Sequence, residues 1–233
     1  MTSYPPEPWT LVGRMDVSTF LVPTADLPTA TWPDGWRPFV LAGRTPVGAA
    51  WVDYAEGGVL SYHELLVAVA GRVGPRVRPH IVRIWVDSPA SRDGGRALWG
   101  IPKGLATFEG LAAGRPSMTL EGAARPAASA VLRRGTRLPG RPRVGFTLAQ
   151  DLDGGLIESP VVSRNGLGLL RADWTFDADG PLGFLAGRRP VLSTTLHDFA
   201  MLFGMTPHDR AIHQRGGHAG VQRQESPHLG AAR

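Results

Sequence analysis

Of the 25 lysine and arginine residues in the chain, only Lys103, in the stretch WGIPKG at 99–104, is a lysine. The two cations are not chemically equivalent. Guanidinium stays charged at any working pH and is a poor nucleophile. An ammonium on a four-carbon stem can lose its proton when desolvated and then attack a carbonyl. A solitary lysine with Leu98, Trp99, Ile101, Leu105 and Phe108 as neighbours points to Schiff-base chemistry. Burial among such residues penalises the ammonium, so the expected pKa is lowered towards neutrality. Pro102 sets the backbone just before the lysine and holds Ile101 extended, which makes a rigid mount for a nucleophile. The second unusual residue is Glu64, in SYHELLVAVA at 61–70. Strand alternation places Tyr62, Glu64, Leu66 and Ala68 on one face and His63, Leu65 and Val67 on the other. A carboxylate there is either solvated at an edge or directed inward.

The elements that must position these residues are mostly strands. Short runs rich in Val, Leu, Thr and Trp alternate with Gly and Pro. Strands are predicted at 17–22, 37–43, 47–55, 59–70, 80–87, 117–122, 128–135, 144–150, 156–163 and 169–177. Many short strands with turn signals between them suggest a barrel or packed antiparallel sheets. A helix is predicted over DSPASRDGGRALWG, 87–100. Asp87 or Ser88 can cap it, Pro89 suits its first turn, and Gly100 can end it in the left-handed conformation. Gly94 and Gly95 weaken its middle. Lys103 then follows a strand, a helix and a tight stop. A second helix is predicted over STTLHDFAMLFG, 193–204, from its Ser/Thr cap, three-to-four apolar spacing and terminal Gly.

Composition bounds the remaining possibilities. A chain of 233 residues with 42% hydrophobic and 19% charged residues forms a folded body with a sizeable core. Residues 1–205 read as one domain, and 206–233 as a polar, disordered C-terminal tail. That tail holds His208, His213, His218 and His228 at spacings that form no compact ligand set, so no metal site is expected. No apolar run approaches the ~20 residues that cross a bilayer, and the start lacks the pattern of a signal peptide. There is no cysteine for disulfides or thiolate sites. A cytoplasmic protein without membrane contact is expected. The formal charge of +5 raises nucleic acid as a partner, but the arginines are dispersed. Their denser stretches, 74–79 and 132–145, read as Pro- and Gly-rich loops. No nucleic-acid motif accompanies them, and nucleic acid is not expected as a partner. The stretches NGLGLLR at 165–171 and DLDGG at 151–155 lack the further residues of a dinucleotide loop and a calcium loop.

Tyr62-His63-Glu64, Asp87, Gly95-Arg96-Ala97-Leu98 and Gly100-Ile101-Pro102-Lys103, in that order and spacing, resemble the acetoacetate decarboxylase family. The likeness is close over about residues 59–108 and general elsewhere. It implies a mainly β (α+β) barrel-like fold of packed antiparallel strands with few helices, in a homo-oligomer. It also implies a lysine-imine enzyme, without cofactor or metal, that decarboxylates a β-keto acid. Lys103 falls on the family's Schiff-base lysine. Glu64 matches an active-site glutamate expected to position the imine and relay protons. Tyr62 and Trp99 would meet the substrate, and an arginine would hold its carboxylate. Arg14, expected just before the first strand, and Arg96, in the helix of the motif, are the candidates. The family's second lysine falls here on Gly104. Its further glutamate in the preceding strand has no counterpart between Arg44 and Trp51, where Asp53 and Glu56 are the nearest carboxylates. Aldol or dehydration chemistry through the same imine, or silent binding of a small acid, are the alternatives.

Overall fold

The β-branched runs join into longer strands than their turn signals suggest. The computed structural model describes residues 4–28 and 32–204. Before the helix lie β1 (Trp9–Pro23), β2 (Trp36–Pro38), β3 (Arg44–Tyr54), β4 (Tyr62–Val69), β5 (Gly71–Val73), β6 (Arg76–Val77) and β7 (His80–Val86). The helix, α1, spans Pro89–Trp99. After it come β8 (Lys103–Glu109), β9 (Ser117–Leu120), β10 (Ala128–Arg137), β11 (Arg143–Leu152), β12 (Gly155–Phe176) and β13 (Leu192–Phe203). Ten strands form one sheet in the order β10-β9-β8-β7-β4-β3-β1-β13-β12-β11. β10 pairs with β12 as well as with β9, so the sheet curls back on itself. Its pairs are antiparallel except β7–β8, which α1 links as a crossover. β2, β5 and β6 make a small second sheet.

Period-two alternation gives the central strands two buried faces. Val47, Ala49 and Trp51 of β3 and Leu65, Val67 and Val69 of β4 enter one core, with Phe20, Met118 and Phe176. Ala50, Val52 and Tyr54 enter a second core with Tyr62, Trp9, Trp99 and Phe199. Glu64 points into this second core and is 2% exposed. The curled sheet is stitched internally by Asp16, also buried, which accepts hydrogen bonds from Arg134 and Thr195 and so joins β1, β10 and β13.

The helix beside the motif forms as its sequence dictates. Ser88 is the cap: its hydroxyl accepts the Ser91 amide at 3.2 Å. Pro89 opens the first turn, and Gly100 closes the last at φ 63°. A β-carbon on Gly100 would stand 1.9 Å from the Asp151 carbonyl oxygen, so this turn needs glycine twice over. Gly94 and Gly95, costly for an isolated helix, let α1 settle closely. A β-carbon on Gly94 would meet the Trp9 ring at 2.5 Å, and one on Gly95 would meet Cδ of Lys103 at 2.8 Å.

Four expectations are corrected. The predicted helix at 193–204 is strand β13. Thr195, His197, Phe199 and Met201 are buried at period two, and its backbone pairs with both β1 and β12. Two long neighbours in need of a partner outweigh the local helical spacing. The strands predicted at 156–163 and 169–177 are one, β12, which runs through the glycines at 166 and 168. The strand predicted at 37–43 stops at Pro38, because Ala42 and Gly43 turn the chain at positive φ. The arginine-rich stretches are loops only in part, because strands run into them. β10 continues to Arg137 and β11 begins at Arg143, while β6 occupies Arg76–Val77. Arginine tolerates these exposed strand faces, so charge alone did not mark a loop. Among the described residues, no helix is long and apolar enough to cross a membrane. Residues 206–233, expected as a disordered tail, lie outside the described residues.

Candidate active site

The site is assembled by register. β4 lies between β3 and β7, with Glu64 opposite Val52 on one side and Val86 on the other. β8 then adds in parallel to β7, which sets Lys103 opposite Ile84. The two sequence-distant residues thereby face the same core. The outer end of this unit is pinned by Asp87, whose carboxylate accepts the His63 backbone amide at 2.8 Å and pairs with the His63 ring at 2.7 Å. From above, α1 covers the lysine stem through the gap left by Gly95. Arg96 locks the lysine backbone: its Nε donates to the Lys103 carbonyl oxygen at 2.7 Å.

Lys103 is 4% exposed, and all three of its amine hydrogens have acceptors. Nζ donates to Glu64 Oε2 at 2.9 Å, to Ser91 Oγ at 2.9 Å and to Tyr62 Oη at 3.3 Å. It also lies 5.1 Å from the centre of the Tyr62 ring. The other carboxylate oxygen of Glu64 accepts the Tyr54 hydroxyl at 3.1 Å. Burial alone would lower the lysine pKa. The Glu64 charge and the Tyr62 oxygen outweigh it, and the pKa lies above the ordinary lysine value. The expectation of a lowered pKa is therefore corrected: burial brought a counter-ion with it. Burial, followed by the Glu64 charge, pushes the Tyr54 phenol well up. Burial likewise raises Tyr62, partly opposed by Lys103. Both phenols stay protonated near neutral pH and can donate.

Lys103 and Glu64 stand at one end of a cavity of about 280 Å³. Tyr54, Tyr62, Trp9, Trp99 and Ile101 surround that end. Among the described residues lining the cavity, Lys103 and Glu64 are the only charged ones. No group of His, Cys, Asp or Glu among the described residues is arranged to hold a metal ion.

Of the site residues expected from sequence, Lys103, Glu64, Tyr62 and Trp99 come together here. Trp99 presents its ring, while its indole N–H donates to Glu7 at 2.9 Å. The two arginines do not join them. Arg14 lies inside β1, not before it, and its guanidinium pairs with Asp53 at 3.2 Å in a separate surface depression. Asp53 is held there by Arg14 and the His63 ring, and Glu56 is exposed. Neither of these carboxylates lines the cavity, so neither supplies the family's second glutamate. Arg96 braces the lysine backbone from the helix side. Sequence reading missed Ser91 and Tyr54. Ser91 sits one helical turn before Gly95, on the face that meets Lys103. Tyr54 ends β3, directly opposite Tyr62 in register. An alternation count through β3 brings out Tyr54, whereas only the crossover places Ser91.

Comparison with known proteins bears on the fold. The sequence model of the acetoacetate decarboxylase family matches residues 36–146. No curated protein matches the sequence significantly. Solved structures match across most of the chain. One is the acetoacetate decarboxylase of Legionella pneumophila, at 16% identity and a TM-score of 0.61, with 88% of this chain and 87% of that one covered. Another is an acetoacetate decarboxylase-like enzyme of Sphingomonas wittichii RW1, at 14% identity and 0.57, covering 88% and 93%. A third is the enduracididine biosynthesis enzyme MppR, complexed with the condensation product of pyruvate and imidazole 4-carboxaldehyde. It matches at 17% identity and 0.53, covering 86% and 88%. Residues 36–146 thus match the acetoacetate decarboxylase family in sequence, and the described body shares the fold of acetoacetate decarboxylase-like structures.

Proposed function

We propose that this chain is a lysine-imine carbon–carbon lyase that decarboxylates a β-keto acid. One observation carries the reading: the only lysine of the chain is buried at the closed end of an apolar cavity, hydrogen-bonded to a buried glutamate. Before substrate enters, the pair rests as ammonium and carboxylate. When a ketone enters, a proton passes from Lys103 to Glu64, and the freed amine adds to the carbonyl carbon. The N–C bond forms, and the carbonyl oxygen takes up a proton from Glu64, with the Tyr62 hydroxyl and Ser91 within reach of the same nitrogen. Loss of water leaves a protonated imine. The bond to the carboxylate carbon then breaks, its electron pair moves to the imine nitrogen, and carbon dioxide departs. A proton returns to the α-carbon, and water releases the ketone and restores the amine.

Among the described residues lining the cavity there is no arginine, so a β-keto carboxylate bound beside Glu64 would be destabilised relative to neutral carbon dioxide. That lining also favours a second reading, imine-based aldol or dehydration chemistry on a neutral carbonyl compound. The MppR complex gives this reading a precedent on the same fold. Formation of carbon dioxide distinguishes the two.

The test is borohydride trapping with acetoacetate, longer 3-oxo acids and simple aldehydes. With one lysine in the chain, a reduced adduct lies on Lys103 or on the N-terminal amine, and peptide mass spectrometry tells them apart. Lys103→Arg keeps the positive charge and cannot form the imine, so its adduct and turnover should vanish. A fully active Lys103→Arg enzyme, or no adduct with any carbonyl compound, would sink the reading and leave a silent binder of small molecules.

A further inference from the structure

The cavity has a direction, and the direction specifies the rest of the substrate. Side chains of β4 that line it step outward from the reacting end: Tyr62, Glu64, Leu66, Ala68. Glu64 is buried, whereas Leu66 and Ala68 are half-buried. The same gradient holds across the register. Gly48 lies beside Ala68 and is half-buried. Pro79, next to the His80 that pairs with Val69, is half-buried too, and Phe146 of β11, the strand that reaches Pro79 through the Ala149 amide, is 41% exposed. The mouth is therefore at the Gly48, Ala68 and Phe146 end, and Lys103 is at the bottom. Four residue-to-residue steps of strand carry the wall from Glu64 to Ala68, a depth of roughly 13 Å. Along that depth, every lining side chain beyond the catalytic end is apolar, with Val17, Ala50 and Leu66 on the middle of the wall. The wall is also kept open by small residues. A β-carbon on Gly48 would meet nothing nearer than the Ala68 carbonyl oxygen at 4.0 Å, so no packing contact requires glycine there.

We propose that the tunnel selects a carbonyl compound bearing an unbranched apolar chain of about eight to ten carbons, whose carbonyl enters first and whose chain fills the passage to the mouth. This rests on the imine reading for the chemistry at the bottom, but the selection itself is made by the wall. A polar or charged tail would lose its water with no partner in return. An apolar tail gains from burial of each methylene and, by filling the passage, keeps water from the imine.

The experiment measures the affinity of straight-chain methyl ketones, 2-butanone to 2-tridecanone, by quenching of the tryptophan fluorescence. Trp9 and Trp99 line the cavity and would report occupancy. Affinity should rise roughly three- to fourfold per methylene until the tunnel is full, then level off. Gly48→Leu and, independently, Ala68→Leu should move that plateau to shorter ketones. Borohydride trapping with butanal runs in parallel. Affinity that does not change with chain length overturns the proposal, even if butanal is trapped. A rise whose plateau moves in neither filled variant also overturns it, because the chain then lies elsewhere. A moving plateau without any trapped adduct upholds the tunnel and refutes the imine.

Discussion

Replacing Glu64 with Gln keeps the shape of the site and removes one charge of a pair whose side chains are 5% and 3% exposed. In Glu64→Gln, Lys103 is a buried ammonium with neutral partners. Breaking a buried pair from one side costs roughly 3–5 kcal/mol. The lysine has an escape, which is to fold deprotonated. At pH 7 that costs about 4.6 kcal/mol, from ~1.36 kcal/mol for each unit below a lysine pKa of ~10.4. The two routes are comparable, so the variant should lose roughly 3–5 kcal/mol at pH 7, with Lys103 partly neutral. The sign of the pH dependence follows. In the variant the folded-state pKa is depressed below the unfolded one, so the cost of neutralising the lysine shrinks as pH rises. At pH 9 the deprotonation route costs only about 2 kcal/mol, which becomes the ceiling on the loss. Urea unfolding of both proteins at pH 7 and 9 reads this directly. The kinetic outcome is separable: the adduct should still be trapped at pH 7, because a neutral amine is present, while turnover falls by roughly 10²-fold or more for want of the proton carrier. A loss below about 1 kcal/mol at pH 7, or one that is constant with pH, would refute the desolvated pair and return Glu64 to the role of an ordinary sheet residue.

Gly95→Ala should gain up to about 1 kcal/mol from helix propensity alone. The clash of its β-carbon with Cδ of Lys103 should instead lower both the melting temperature and the trapping rate, and a stabilised, fully active variant would contradict the packing. Lys103, Tyr54 and Tyr62 all have raised pKa values in the folded chain. Their contribution is whole below the ordinary tyrosine and lysine range and is lost as pH rises through the folded values. The urea midpoint should therefore hold to about pH 10 and fall beyond it, less steeply in Tyr54→Phe. On the acid side, burial lowers the pKa of His80, whose Nδ1 lies 2.8 Å from the Ala149 carbonyl oxygen. Its contribution is present above about pH 6.5 and is lost as pH falls through the folded value, so urea midpoints from pH 8 to 5 should decline less in His80→Phe.

Residue identity and local spacing were enough to single out Lys103 and Glu64, to place Tyr62, Leu66 and Ala68 on the glutamate's face, and to bound α1 between a cap at Asp87 or Ser88 and a stop at Gly100. These depend on properties carried by a few adjacent residues: the uniqueness of an amine, the alternation of a strand, a cap and a left-handed stop. What lay beyond the sequence depended on distant partners. The stretch at 193–204 reads as a helix by spacing, but β1 and β12 each offer it a full ladder of hydrogen bonds, and it is a strand. Gly94 and Gly95 read as weak points until Trp9 and Lys103 are seen packed against them. Arg14 had the right chemistry for a carboxylate, yet it lies in a separate depression, where Asp53 takes its charge. The charge state of Lys103 turned on the same kind of fact. Apolar neighbours in sequence predicted a depressed pKa, whereas the parallel pairing of β8 with β7 set the amine 2.9 Å from Glu64, a residue 39 positions away. Desolvation is a property of a neighbourhood and can be read in part from composition. The counter-ion that reverses its effect is a property of topology, and only the folded sheet could supply it.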